Sequence, residues 1–193
     1  MPSRLYTRTG DRGTTRLSTG ERVSKSSRRV ASYGGLYELN TALGHARALA
    51  QAEMPAEPDA LWHEWMGALK EIQQRLFLVG RDLSSAAKPE NTTTQKSHTE
   101  VLEHLIDRLR QVVPPWKPFT LPEGTPAATA LYLATTICRR AERDIWALNQ
   151  EESVPQPVMM WVNRLSDLLF MSGRYANFVQ GVVEERTREP EGY

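Results

Sequence analysis

The stretch 65-WMGALKEIQQRLFLVGRDL-83 decides the fold. Its apolar side chains Trp65, Leu69, Ile72, Leu76, Val79 and Leu83 recur every three or four residues, which lines them up as one helical seam for packing against other helices. Two more seams share the period. One runs Leu131, Ala134, Cys138, Ala141, Ile145 and Leu148, behind Thr125-Pro126, a side-chain cap followed by a first-turn proline. The other covers Val158, Val162, Leu165, Leu169 and Ser172, the last small rather than apolar. Shorter candidates are Val30–Ala50 and Val101–Val112, the latter behind the capping-box pattern Ser97-His98-Thr99-Glu100. Pro55 and Pro58 separate the first two helices, Lys88-Pro89-Glu90-Asn91-Thr92 the second and third, and Pro114-Pro115-Trp116-Lys117-Pro118 the third and fourth. No strand alternation and no internal repeat competes. The expectation is an all-α protein: one domain over residues 1–193, a ferritin-like five-helix antiparallel bundle at 30–183 with a frayed charged tail at 184–193.

Lys plus Arg total 24 against 23 Asp plus Glu, so whole-molecule charge gives no reason to expect nucleic acid or a membrane as a partner. The single cysteine, Cys138, cannot form an internal disulfide and reads as a small core residue, and no Cys/His cluster has zinc-ligand spacing. No run approaches the roughly 18 apolar residues of a membrane helix, and Met1-Pro2-Ser3-Arg4-Leu5-Tyr6 lacks the apolar core of a secretory signal. A disulfide scaffold, a structural zinc protein and a membrane protein are excluded, and the expectation is a cytoplasmic protein. The five tryptophans (Trp62, Trp65, Trp116, Trp146, Trp161) read as packing residues. The four histidines (His45, His63, His98, His104) read as surface or helix-face residues.

The charge is unevenly spread. Residues 1–29 hold eight basic side chains against two acids, a net +6 that leaves −5 on the rest of the chain. This arm is rich in Gly, Ser and Thr and reads as irregular. Within it, Thr7-Arg8-Thr9-Gly10-Asp11-Arg12-Gly13-Thr14-Thr15 combines two glycines that let backbone N–H groups face a concavity with hydroxyls and arginines suited to phosphate oxygens. It is not a Walker A loop, because no Gly-Lys-Ser/Thr follows, and a plain glycine turn is the competing reading. In Cys138-Arg139-Arg140-Ala141-Glu142-Arg143, Arg139 and Arg143 share a helix face, placed either to grip a polyanion or to form a surface ion-pair ladder. Asn163, Ser166 and Asp167 put a polar stripe on an apolar helix, to be satisfied by neighbouring helices or by a ligand. Nucleic-acid binding by the arm is the weakest reading, since the arm lacks interleaved aromatics.

These segments, with Gly20-Glu21-Arg22-Val23-Ser24-Lys25, Tyr33-Gly34, Glu38-Leu39-Asn40, Ile72-Gln73, Leu76-Phe77 and Phe119-Thr120-Leu121-Pro122, resemble the PduO-type corrinoid adenosyltransferases across nearly the whole chain. The resemblance implies a homotrimer of five-helix bundles with active sites between subunits. It implies transfer of the 5′-deoxyadenosyl group of ATP to cob(I)alamin or a related reduced corrinoid, with Mg²⁺ assisting and triphosphate released. By resemblance, Thr7, Arg8, Thr9, Gly10, Asp11, Gly13, Thr14, Thr15 and Lys25 bind the nucleotide in an arm that orders around it, helped by Arg140 and Asn163. Arg139, Glu142, Arg143 and Tyr37 are the expected catalytic residues, with no protein ligand to a metal. A flavin-dependent reductase and cobalamin-dependent enzymes are the implied partners. Because cob(I)alamin is itself the nucleophile, the absence of a nucleophile–base pair is expected.

One departure stands out. Where the family reads Gly-x-x-Asp-Glu-Leu-Asn, this chain has Gly34-Gly35-Leu36-Tyr37-Glu38-Leu39-Asn40. Tyr37 offers a hydroxyl but no counter-charge where an aspartate pairs with an arginine across the subunit boundary. Either Glu38 or bound triphosphate is expected to take over that role, or the pocket has loosened. The family's Pro-Gly-Gly is Pro122-Glu123-Gly124 here, a milder change at a turn. The alternative function is a non-catalytic or weakly active paralogue that holds ATP or corrinoid as carrier or sensor.

Overall fold

The computed structural model describes residues 6–85, 91–116, 120–185 and 187. Five helices follow one another: α1 Arg28–Ala52, α2 Ala60–Ser84, α3 Lys96–Val112, α4 Pro126–Asn149 and α5 Gln156–Val179. All three sequence seams are inside. Trp65, Leu69, Leu76 and Val79 of α2, Leu131, Ala134, Cys138 and Ala141 of α4, and Val158, Val162, Leu165 and Leu169 of α5 are completely buried. Each fully buried leucine contributes about 2 kcal/mol of burial free energy. α1 packs on α2 and α4, α4 on α5, and α5 on α3, so the bundle is the all-α architecture that the helical period predicts.

Helix entries follow local chemistry. Ser27 Oγ accepts from Val30 N–H at 3.3 Å, Asp59 Oδ1 from Trp62 N–H at 2.7 Å, and Thr125 Oγ1 from Ala128 N–H at 3.1 Å. The start of α3 differs from the expected Ser97/Glu100 box. The helix begins earlier, and His98 Nδ1 reaches back to accept Gln95 N–H at 2.9 Å. His98 is therefore a capping residue, and Glu100 instead pairs with Lys96 at 3.5 Å. Before α3, buried Asp82 gathers the turn. Its Oδ2 accepts from Thr92 Oγ1, Thr93 N–H and Thr93 Oγ1, each at 2.8 Å.

The arm is not wholly irregular. Two short strands, β1 Thr14–Arg16 and β2 Arg22–Ser24, pair antiparallel with Thr15 opposite Val23. Leu17 is buried, and Ser18 Oγ meets Ser84 Oγ at 3.1 Å, which docks the hairpin at the end of α2. Arg29, also buried, bonds Leu83 O and Glu152 and ties the start of α1 to the α2 end and the α4–α5 connection. The tail expectation also needs correction at its start: Glu184 pairs with buried Arg174, and Glu185 O accepts Leu121 N–H at 2.9 Å. The rest of the tail except residue 187, with Arg4, Lys88-Pro89-Glu90 and Lys117-Pro118-Phe119, lies outside the described residues. Among the tryptophans, Trp62, Trp65 and Trp161 are core, whereas Trp116 and Trp146 are exposed because they sit on a loop and on the outer face of α4.

Candidate functional site

Thr7, Thr9, Gly10, Thr14, Thr15, Arg16, Arg22 and Lys25 line one concavity of about 460 Å³ on the arm. Its floor is curled backbone. Gly13 sits at φ 77°, a left-handed conformation that side-chain-bearing residues rarely adopt; its N–H donates to Gly10 O at 3.3 Å and its carbonyl accepts Lys25 N–H at 2.9 Å. Lys25 Nζ would lie 3.2 Å from a Cβ at position 10, so glycine there leaves room for the ammonium. Arg22 Nη2 bridges the rim, donating to Thr9 O at 2.6 Å and Thr14 Oγ1 at 2.8 Å. Three cationic residues (Arg16, Arg22 and Lys25) and several hydroxyls therefore line a space suited to phosphate oxygens. Among the other arm candidates, Arg8 sits 5.5 Å above the Tyr6 ring, and Asp11 is exposed beside the turn.

The second group lies on α4 and α5. Arg139 and Arg143 are exposed, one turn apart, and Arg143 Nη1 donates to Arg139 O at 3.3 Å. Neither guanidinium meets a carboxylate among the described residues. Glu142 turns away from Arg139 and accepts from Asn163 Nδ2 at 2.9 Å, so the two are locked side by side. The ion-pair ladder is formed only by Arg140, which bonds Glu38. Glu38 is thus engaged with Arg140 within one chain. The polar stripe on α5 finds partners within the bundle: Ser166 Oγ donates to Asn163 O at 2.9 Å, and Asp167 accepts from Arg164 at 2.6 Å.

Tyr37 projects elsewhere, toward α2. Its ring packs 5.8 Å from Tyr33 and 6.0 Å from Phe77, and it covers Gly80, where a Cβ would come within 3.3 Å of the ring. Tyr37 and Phe77 are both exposed, 41% and 60%, and line a shallow concavity with Asn40, Thr41, Gly44 and Gln73. Within one chain, no hydrogen bond or ion pair among the described residues joins the arm to Arg139, Glu142, Arg143 or Asn163. The arm and the Arg139–Arg143 turn are thus two separate cationic groups of one chain.

No nucleophile is primed nearby. Burial pushes the Cys138 thiol well up, reinforced by Glu142, and its Sγ contacts Val162 O at 3.4 Å in the core. Burial first and Tyr37 second raise the Tyr33 phenol. His98 is held below the usual histidine range by burial and then by Arg75. Among the described residues no cluster of three or more His, Cys, Asp or Glu could hold a metal ion, and no helix is long and apolar enough to cross a membrane. A further concavity, about 620 Å³ between α2 and α3, contains none of the expected site residues. Sequence reasoning missed Arg22 as part of the rim; its place two residues after Gly20, in a strand that must fold back on the Thr-rich loop, was the available signal.

Residues 5–176 match the model of the family Cobalamin adenosyltransferase. The chain is 38% identical over 179 residues to the corrinoid adenosyltransferase of Bacillus subtilis, covering 93% of this chain and 89% of that one. It is 40% identical over 173 residues to the corrinoid adenosyltransferase PduO of Salmonella typhimurium, covering 88% of this chain but 48% of that longer protein. Among solved structures it is similar to a variant PduO-type ATP:corrinoid adenosyltransferase from Lactobacillus reuteri complexed with cobalamin and ATP. That similarity has a TM-score of 0.85 at 39% identity and covers 96% of this chain and 100% of that one.

Proposed function

The chain belongs to the cobalamin adenosyltransferase family, and from that premise we propose how its residues carry the reaction. It is a corrinoid adenosyltransferase: it transfers the 5′-deoxyadenosyl group of ATP to the cobalt of cob(I)alamin or a related reduced corrinoid. The cobalt–carbon bond forms as the C5′–oxygen bond breaks, and triphosphate leaves with the electron pair. Because the nucleophile is the reduced metal centre of the substrate, the chain needs no activated Ser, Cys or His. Its task is alignment of C5′ and stabilisation of charge on the departing triphosphate.

In this reading the arm concavity holds the phosphates. Thr7, Thr9, Thr14 and Thr15 donate hydroxyls, Gly10 and Gly13 shape the backbone, and Lys25 supplies charge, with Arg8 and Asp11 flanking the loop. Arg139 and Arg143 meet the same anion from another subunit, each well-placed donor contributing about 3 kcal/mol in the transition state. Glu142 and Asn163 orient each other beside the ribose, while Arg140 must leave Glu38 to reach a ligand. Tyr37 closes the neighbouring subunit face with its ring. Mg²⁺, when bound with ATP, would supply charge neutralisation on the triphosphate beside the arm's hydroxyls and Lys25.

The observation that supports this arrangement is the pair of cationic groups, arm and α4 turn, which share no hydrogen bond or ion pair within one chain among the described residues. A homotrimer with sites between subunits joins them. Tyr37 and Phe77 on one face and Leu133 and Trp146 on α4 supply the exposed apolar surface for such contacts. Residues 1–193 act as one domain in the cytoplasm, with residues 1–29 as the binding arm, a flavin-dependent reductase upstream and cobalamin-dependent enzymes downstream. The test is anaerobic: supply cob(I)alamin, ATP and Mg²⁺, and look for adenosylcobalamin and triphosphate. Formation of both supports the assignment, and ATP binding without product favours the carrier or sensor reading.

A further inference from the structure

We propose that Arg22 is a positioning residue for the nucleotide, a clip that gives the Thr7–Gly13 loop its binding shape before ligand arrives. The inference rests on reading the arm as the nucleotide-binding element. It starts from a problem of stability. The loop holds two glycines, Tyr6 before it is 63% exposed, and among the described residues of the arm before α1 only Leu17 is a buried apolar side chain. Ordering each residue costs about 1–2 kcal/mol of backbone entropy, which apolar packing does not offset here.

Besides the backbone bonds Gly13 N–H to Gly10 O and Lys25 N–H to Gly13 O, the loop is spanned by one guanidinium nitrogen. Arg22 Nη2 holds a backbone carbonyl on one side, Thr9 O at 2.6 Å, and a side-chain hydroxyl on the other, Thr14 Oγ1 at 2.8 Å. Arg22 is anchored in β2 directly opposite Arg16 of β1, so the hairpin ladder fixes where its side chain begins. Among the described residues it has no carboxylate partner, and its charge stays within the cradle beside Lys25. The bond to Thr14 has a second effect. With a lone pair of Oγ1 committed to Arg22, the hydroxyl proton is free to point into the concavity as a donor to a phosphate oxygen.

A clip formed in the free protein acts on binding rather than on the chemical step. Its loss restores the ordering cost to the binding equilibrium and so weighs more on ATP binding than on turnover at saturation. Hydrogen bonds from a charged donor are worth about 1.5–3 kcal/mol, which corresponds to a roughly 10- to 100-fold change in affinity.

The test compares the full-length wild type with Arg22→Gln and Arg22→Lys. Amide hydrogen exchange is followed without nucleotide, ATP binding by calorimetry, and adenosylcobalamin formation anaerobically. For Arg22→Gln the expected result is faster ligand-free exchange at the Gly13 and Lys25 amides with helix exchange unchanged. ATP affinity falls about 10- to 100-fold, and the ATP KM rises by more than kcat falls. Arg22→Lys, whose one nitrogen can make both contacts, recovers part of the affinity and protection. Ligand-free arm exchange equal to wild type, or a fall in kcat at unchanged ATP KM, overturns the proposal. Wild type that makes no adenosylcobalamin overturns the transferase reading instead, and the ligand-free exchange still decides for or against the clip.

Discussion

Arg174 and Glu184 are joined by two parallel hydrogen bonds, Nε to Oε1 at 2.7 Å and Nη2 to Oε2 at 2.6 Å, although Arg174 is only 2% exposed. The same Nη2 donates to Pro114 O at 2.9 Å. One buried cation thus pins both the start of the α3–α4 connection and the segment after α5. Glu184→Gln leaves that cation without a counter-charge and should destabilise the fold by about 3 kcal/mol, the lower end for a buried pair because Glu184 retains some exposure. Urea unfolding measures it, and a loss below 1 kcal/mol would show that the segment after α5 is not held by this pair.

The other end of that connection is held by Asn177, whose Oδ1 accepts Thr125 N–H at 2.9 Å while its Nδ2 donates to Glu123 O at 2.8 Å. Gly124 between them has φ 117°, and a Cβ there would fall 2.1 Å from Asn177 Oδ1. Gly124→Ala therefore strains the backbone by about 1–3 kcal/mol and also evicts the amide. The melting temperature should fall by several degrees, more than for Gly67→Ala on the open face of α2.

Acid should loosen the start of α3. His98 accepts Gln95 N–H at Nδ1, a bond that exists only while that nitrogen is unprotonated, and burial followed by Arg75 lowers its pKa. A depressed folded-state value means that the unfolded chain takes up the proton first. The stabilisation is complete above the ordinary histidine pKa of about 6.5 and declines as pH falls below it. His98→Asn should flatten the pH dependence of unfolding in that window, with pH titration of the His98 ring signals by NMR as the direct check.

The helices were legible because an apolar side chain every three or four residues can be satisfied only by burying one stripe. The spacing from Trp65 to Leu83 therefore locates α2 from sequence alone. The hairpin was not, since three-residue strands such as Thr14–Arg16 carry too few alternations to register against a loop rich in Gly and Thr. Arg174 was missed for a related reason. In a stripe reading a charged residue marks the wet face, yet Met171 through Asn177 are all buried, and a helix wrapped on every side has no wet face. The two cationic groups were legible as residue types, in the Thr-rich loop and the Arg139/Arg143 turn. Their proposed relation across a subunit boundary rests on the family resemblance, because no spacing along one chain encodes a contact between two copies.

That contact is open to a test by mass. Phe77, 60% exposed beside Tyr37, leaves an aromatic pair on the outer face of α1 and α2. If this face is covered by a neighbouring subunit, Phe77→Glu buries a charge in the interface and should shift sedimentation from trimer to monomer. The substitution faces solvent in the isolated bundle, so helix content by circular dichroism should be unchanged. A trimer that survives Phe77→Glu would place the interface elsewhere.

Arg139 and Arg143 allow function to be separated from fold. They sit one turn apart on α4 and are exposed, without a carboxylate partner among the described residues. Two like charges at this spacing repel by about 0.2–0.5 kcal/mol, so neutralising either should leave stability level or slightly higher. The same change removes a donor to the developing triphosphate charge and should lower kcat/KM for ATP on the order of 100-fold. Arg139→Gln and Arg143→Gln are therefore expected to cost activity without lowering the melting temperature, a combination that a merely structural arginine does not produce. The deficit should shrink for Arg143→Lys, which keeps the charge but loses the forked geometry. Full activity in both glutamine variants would remove this turn of α4 from the site and leave the arm as the sole anion-binding element.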